Sequence, residues 1–532
     1  MSPTSMSSLI TSQSDGAPLA LAQDGAEIGV FAEIEAAINN AFDPIAEWLG
    51  GVIFYEVPFL ADFPWIVGWL VLAGVIFTIY FGFVQFRGFK LATQIVRGRY
   101  TKDDEPGEIS HFQALSSAVS GTVGLGNIAG VGVAVTIGGA GATFWMILVG
   151  LLGMCTKFVE CTLGVKYRTF HEDGTVSGGP MQYLRKGIQE KLPGSAGKIV
   201  GMVLAGGAAV CILLFGIGGG NMFQANQSRA QLQSVTGGED SFLANDGAAL
   251  VFGIVLAVLV AAIIWGGIKS IGAVTSRLVP SMALLYIVAC LIVILTNVPA
   301  IPDAIGQIFS GAFTGEGVVG GIIGAIIQGL RRATFSNEAG LGSAPIAHAA
   351  VKTKHPVTEG LVALLEPFVD TVIICTMTAL TIIIANPAYW VDSKRELLAT
   401  DGAHDFDGVS VTSGAFEESL PGFEYVLAFA VLLFAVSTMI TWAYYGQKAW
   451  TYLFGKSKTA ERVYQFVYCF FIVVGSVLTL GSVIDFTDAV MFLLAIFNVI
   501  GLYMLAPVVK RELQSYMGML RSGEVHKIEK VK

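Results

Sequence analysis

Stretches apolar enough and long enough to cross a lipid bilayer follow one another along nearly the whole of this chain. About 20 predominantly apolar residues span a hydrocarbon core, and inside it every backbone polar group must be satisfied by the protein itself. The expected class is therefore an all-α integral membrane protein. Composition agrees, since 54% of the 532 residues are hydrophobic and only 13% charged, with a mean hydropathy of +0.68. The spans lie too close together to leave room for soluble domains.

Eleven transmembrane helices are expected. They run Pro64–Phe86, Phe112–Ile137, Thr143–Val165, Ile199–Gly219, Ala248–Trp265, Val279–Leu295, Val318–Ala350, Leu361–Ile384, Phe423–Tyr445, Val463–Leu480 and Ala489–Val509. Charge placement tests this independently, because Lys and Arg gather on cytoplasmic loops. They cluster after the first, third, fifth, seventh, ninth and eleventh spans, for example Arg87 to Lys102 and Lys166 to Lys198. The intervening loops are nearly bare of them, apart from Arg229 and the pair Lys394 and Arg395. The N-terminus is expected outside and the C-terminus in the cytoplasm.

Five segments follow from this. Residues 1–40 form an acidic, disordered outer arm, and residues 41–111 an interfacial segment (amphipathic over Ile45 to Leu60), the first span and a cytoplasmic loop. Residues 112–296 and 297–509 each hold five spans, and 510–532 are a cytoplasmic tail. Trp65, Trp69 and Trp390 sit near span ends as interface anchors. The net charge of −9 carries no basic cluster of the kind that binds nucleic acid. Six cysteines lie in or against apolar spans with no C-x-x-C pair, so they read as small buried apolar residues and imply no cofactor.

Ala118 to Val131, AVSGTVGLGNIAGV, is too apolar for a solvent loop and too rich in glycine for an undisturbed helix. Each Gly costs a helix interior about 1 kcal/mol relative to Ala. Freed backbone groups are tolerated at membrane depth only where protein buries them or a cavity meets them. The stretch therefore reads as a helix broken near the midplane whose bare backbone serves as a binding site; a smooth glycine face for close helix packing is the alternative.

Ten spans remain when the first is set aside, five and five, so the two sets enter the membrane from opposite sides. That is a 5+5 inverted repeat with one extra N-terminal helix, a plan in which sites lie between discontinuous helices at matching places. Gly124-Leu125-Gly126-Asn127 opens the first unit and Gly340-Leu341-Gly342-Ser343 lies in the opening segment of the second. As one straight helix, Val318 to Ala350 would reach about 50 Å against a core of about 30 Å, so a second break is expected, over Gln328 to Asn337. Half-helix N-termini suit a carboxylate, while unwound carbonyls and hydroxyls suit an ammonium group or a hard cation. Both together fit a zwitterionic amino acid beside Na⁺.

The motifs HFQALSSAVSGTVGLGNIAGV (111–131), GGPMQYL (178–184), GNMFQAN (220–226), GGIKSIG (266–272), FSNEAGLGSAPIA (335–347) and WAYYGQK (442–448) carry a resemblance. With them the chain resembles the alanine or glycine:cation symporters, Na⁺-coupled amino-acid carriers of bacteria and archaea. The resemblance implies the leucine-transporter-type fold, symport of alanine or glycine with Na⁺ in the bacterial inner membrane, and no cofactor beyond Na⁺ as coupling ion. It places Thr122, Gly124, Leu125, Gly126 and Asn127 at the substrate break, with Phe335, Ser336 and Asn337 on the seventh span and Gln328 and Gly329 as nearer alternatives. For Na⁺ it implies the Ser120 and Val123 carbonyls with the Ser437 and Thr438 hydroxyls. On the fourth span Gln224, with Asn221 and Asn226, is placed to face the site.

Blander readings stand beside these. Ser437 and Thr438 can bond back to a carbonyl one turn earlier, and Asn127 can serve as a helix-to-helix partner. Lys157 and Glu160 share a helical face and read as a structural pair. Glu366 and Asp370 read as braces for Arg331 or Arg332, or as a cytoplasmic gate network, and His348 as interfacial. H⁺ is the alternative coupling ion. A channel would want a continuous polar path or rings of charge, and an enzyme would want motifs such as H-E-x-x-H or G-x-S-x-G, which are missing from the sequence.

Overall fold

The computed structural model of the chain describes residues 30–57, 63–102, 104–314, 321–400, 406–478 and 481–528. Its helices are α1 (Val30–Ile53), α2 (Trp65–Tyr80), α3 (Val84–Arg87), α4 (Phe89–Val96), α5 (His111–Thr122), α6 (Ala129–Ile137), α7 (Ala142–Lys166) and α8 (Pro180–Lys191). There follow α9 (Ser195–Val235), α10 (Asp246–Ile264), α11 (Gly267–Thr296), α12 (Ile301–Thr314), α13 (Gly321–Asn337), α14 (Pro345–His348) and α15 (Pro356–Ala385). The chain closes with α16 (Ala388–Ala399), α17 (Gly408–Ser419), α18 (Phe423–Phe454), α19 (Lys458–Val477) and α20 (Gly481–Ser522). Two short antiparallel hairpins, Glu56–Val57 with Phe63–Pro64 and Thr169–Phe170 with Val176–Ser177, are the strands among the described residues.

Eight of the described helices are long and apolar enough to cross a membrane, and α5 with Leu125–Ile137 makes a further crossing bent by 62°. This is a multi-span helical membrane protein with discontinuous helices. The helix α2 is apolar but shorter, at 16 residues, and the onset of the seventh span at Val318 lies outside the described residues, as do 1–29 of the arm, Pro58–Leu60 of the interfacial segment and the end of the tenth span at Leu480.

Lipid tails are as apolar as Leu, so packing between spans rests on close approach rather than on water exclusion. Of those eight spans α18 is the most enclosed, whereas α10 and α19 are peripheral and turn Val255, Val258 and Phe466 outward. Gly132 of α6 and Gly408 of α17 meet backbone to backbone: a Cβ on Gly132 would stand 2.2 Å from the Gly408 carbonyl oxygen. With Thr412 Oγ1 donating to the Ile128 carbonyl at 3.1 Å, α17 is seated directly on the second arm of the broken helix. The α17 stretch, Gly408–Ser419, thus has a place in the fold that the acidic composition around it did not disclose.

Several expectations need correction. Residues 30–40 are helical rather than disordered, because Val30, Ile34, Ile38 and Phe42 recur at helical spacing and Ile38 packs on Met222 and Leu478. The second break falls after Gln328 to Asn337, not within it. Helical bonding continues until Glu338 N donates to Thr334 O at 3.0 Å, and then Glu338, Gly340 and Gly342 all take positive φ. Arg331 and Arg332 therefore sit on an intact helix. Their opposing charges are Asp488 and Asp485 of α20, not Glu366 or Asp370, and Arg331 also lies over the Phe54 ring. Trp390 is 2% exposed, a core residue rather than an interface anchor.

Candidate substrate and cation site

Ser110 starts α5 with a capping box, its Oγ accepting from Gln113 N while Gln113 Oε1 accepts from Ser110 N. The helix then runs apolar and polar in alternation until Val123, whose backbone is extended, and Gly124. A single 3-10 turn, Leu125–Asn127, leads into α6. Gly124 N is capped by the chain's own Asn127 Oδ1 at 2.9 Å. The freed turn faces a small cavity of about 20 Å³ lined by Thr122, Gly124, Leu125, Gly126, Gln224, Phe335, Ser336 and Thr438, and also by Gly121, Phe215, Gly219, Glu338 and Trp442.

Two buried polar atoms on that wall, Gln224 Oε1 and Thr438 Oγ1, have no hydrogen-bond partner. Such atoms are rare in native structures, and water, an ion or a ligand is the usual reason for them. A Cβ on Gly124 would sit 2.7 Å from Thr438 Oγ1, so the glycine brings main chain and hydroxyl together. One turn earlier Ser120 Oγ is 2.7 Å from the Ser437 carbonyl oxygen and 2.6 Å from Ser437 Oγ. Thr441 Oγ1 donates to the Ser117 carbonyl at 3.0 Å. A ladder of hydroxyls and carbonyls thus ties α5 to α18 and ends in one free hydroxyl at the break. Val123 is fully buried beside it.

The remaining candidates separate. Asn127 faces the scaffold: its Nδ2 donates to Asp370 Oδ1 at 2.7 Å and Ser336 Oγ at 3.0 Å. Ser336 Oγ in turn donates to Asp370 Oδ2 at 2.7 Å. Asn337 Nδ2 donates to Thr371 Oγ1 at 3.0 Å, away from the cavity. Gln328 and Gly329 lie outside the lining, packed against Gly138 and against Ala142 and Trp145. Asn221 and Asn226 turn to the carbonyls of Tyr468 and Leu478, which leaves Gln224 as the member of that trio on the cavity.

Asp370, expected with Glu366 to brace Arg331 or Arg332, instead bonds Asn127 and Ser336 and joins the two broken segments; an acid inside an apolar span was the signal for it. Phe215, Gly219 and Trp442 arrive from α9 and α18, and nothing local marks them. The expected Lys157–Glu160 pair is absent. Lys157 Nζ pairs instead with Glu366 Oε1 at 2.9 Å, while Glu160 Oε1 accepts from Gly342 N at 2.9 Å and Asn498 Nδ2 at 2.6 Å. His348 is fully buried rather than interfacial. It meets Glu359 Oε1 at 2.5 Å and Glu366 Oε2 at 3.7 Å, and Glu359 also binds His111. No group of three or more His, Cys, Asp or Glu among the described residues is arranged to hold a metal ion.

A many-spanned helical bundle with a spanning helix broken against a buried, partly polar cavity is the anatomy of a secondary transporter. Residues 51–530 match the model of the sodium:alanine symporter family, and the chain belongs to that family. It is 39% identical over 454 residues to the sodium/alanine symporter AgcS of Methanococcus maripaludis, covering 85% of this chain and 94% of that one. It is 36% identical over 468 residues to the amino-acid carrier protein AlsT of Bacillus subtilis, covering 87% and 92%. The solved structure of MhsT in complex with L-phenylalanine aligns with a TM-score of 0.49 at 14% identity, over 76% of this chain and 98% of that one. Members of the family are transporters and not enzymes, and this chain is a secondary active, Na⁺-coupled symporter.

Proposed function

We propose that the chain carries a small neutral amino acid, alanine or glycine, together with Na⁺ into the cell by alternating access. The relatives' names point to sodium, alanine and amino acids, and the aromatic walls Phe215, Phe335 and Trp442 favour a small side chain. In this reading the protein lies in the bacterial inner membrane with its N-terminus outside and its C-terminus in the cytoplasm, as the charge pattern favours. Eleven spans form a leucine-transporter-type 5+5 repeat plus one helix.

The substrate meets the main chain at Gly124 to Gly126, with Thr122, Gln224, Phe335 and Ser336 around it. Asn127, Asn337, Gln328 and Gly329 shape the site from behind. Sodium takes the Val123 and Ser120 carbonyls with the Ser437 and Thr438 hydroxyls. The observation that carries the reading is the pair of unpartnered oxygens, Gln224 Oε1 and Thr438 Oγ1, facing an unwound turn. Substrate and cation bound side by side stabilise one another's site, and that coupling is reciprocal.

The test is uptake into proteoliposomes across a panel of small amino acids, with and without an inward Na⁺ gradient. Alanine or glycine uptake that ignores the Na⁺ gradient would falsify the cation assignment.

A further inference from the structure

A larger cavity opens elsewhere, between α2, the α3–α4 connection, α15 and α20, with about 1310 Å³ of empty volume, part of it open to the surroundings. The carrier cycle makes no use of it. Its floor is apolar, built from Val84, Leu361 and Leu513, and three cations line it: Arg87, Lys510 and Arg521. None of the described residues lining it is acidic. Lys510 Nζ lies 4.0 Å over the Tyr80 ring, and Arg87 Nη1 donates to the Gly82 carbonyl at 3.3 Å. These contacts orient the cations without neutralising them.

The mouth faces lipid, since Ile79, Phe83 and Phe86 beside it are 65%, 51% and 58% exposed. Tyr80 marks the level at which aromatic rings gather between hydrocarbon and headgroups. Beyond it α20 continues past Lys510 to Arg521 and Ser522 as a polar helix. The cavity therefore offers apolar and cationic walls side by side, with Leu513 and Met517 set between Lys510 and Arg521 along α20.

We propose that this cavity binds an anionic phospholipid of the cytoplasmic leaflet. Its phosphate sits among Arg87, Lys510 and Arg521, and the first carbons of an acyl chain lie on Leu361 and Leu513. Basic pockets between spans on the cytoplasmic side recognise such headgroups, each cation near the surface contributing a factor of about five in affinity. A free phosphate ion would use the cations and leave the apolar floor bare; a lipid covers both. The leaflet assignment, unlike the site, rests on the membrane orientation given under the proposed function.

The test is native mass spectrometry of the full chain, purified in detergent and exposed to equimolar phosphatidylglycerol and phosphatidylethanolamine. The wild type should retain phosphatidylglycerol selectively, and Arg87→Gln/Lys510→Gln/Arg521→Gln should weaken retention by about a hundredfold. Leu513→Trp, which fills the floor and keeps all three charges, should also lose the lipid. Equal retention of both lipids overturns the proposal, as does undiminished retention by the triple variant. So does a rise in melting temperature with inorganic phosphate that matches the rise with phosphatidylglycerol. Leaflet is read separately in sealed vesicles carrying Gln514→Cys. Labelling by an impermeant thiol reagent from outside overturns the cytoplasmic placement and the orientation with it, and detergent retention is blind to that failure.

Discussion

The two broken helices look alike in sequence, Gly-Leu-Gly-Asn against Gly-Leu-Gly-Ser, and are built for opposite purposes. At the first, Gly124 has ordinary backbone angles and is needed for space, because a methyl group would collide with Thr438 Oγ1. Its turn borders a cavity. At the second, Gly340 and Gly342 hold φ of +97° and +79°, a region that costs a side-chain-bearing residue about 1–2 kcal/mol. There the freed backbone is taken up by fixed side chains: Glu160 receives Gly342 N, and Asn498 donates to the Gly340 carbonyl at 2.8 Å. The first break borders a cavity with two side-chain oxygens that lack partners, Gln224 Oε1 and Thr438 Oγ1; at the second, side chains of the protein satisfy the freed backbone.

The largest effect that can break this contrast lies behind the second segment. Lys157→Met leaves the fully buried Glu366 with only His348, 3.7 Å away, and breaking a buried pair costs about 3–5 kcal/mol. Folded yield and melting temperature should both collapse, and wild-type stability would show that this side is no brace. Next, Thr438→Ala removes the free hydroxyl at the first break. The Na⁺ concentration for half-maximal uptake should rise about tenfold or more, the worth of a bond to a charged group, while the folded protein survives.

A mirrored pair sharpens the comparison further. Gly342→Ala should lower stability by about 1–2 kcal/mol and leave uptake per folded molecule near wild type. Gly124→Ala, whose methyl meets Thr438 Oγ1, should lose about tenfold or more in uptake per folded molecule, since small misplacements at a site are expensive. Smallest is Gly126→Ala. Its Cβ would meet Phe335 at an ordinary 3.4 Å, so uptake should fall by less than about twofold. A loss there as great as at Gly124 would mean the substrate approaches Gly126 as closely as Gly124.

The first break was legible because glycine, Thr122 and Asn127 interrupt an otherwise apolar run, a local signal. The second was displaced toward Arg331 and Arg332 for an instructive reason. Helix bonding is blind to side-chain charge, and what stops it is backbone conformation at Glu338 and beyond. Lys157 and Glu160 share a face as helical spacing requires, yet each found its partner on another element, which a single-helix argument cannot see. Phe215 and Trp442 reach the cavity through packing between α9 and α18, information that lives in tertiary structure. Helical spacing over Val30 to Phe42 was present and outweighed by the acidic composition around it.

Asp370 holds Asn127 with one oxygen and Ser336 with the other. A single carboxylate is thus the knot between two hinges that come from opposite halves of the chain. Neither hinge can swing alone without untying it. Whatever tilts the one must carry the other along or break the bonds at Asp370 together with the direct Asn127–Ser336 bond.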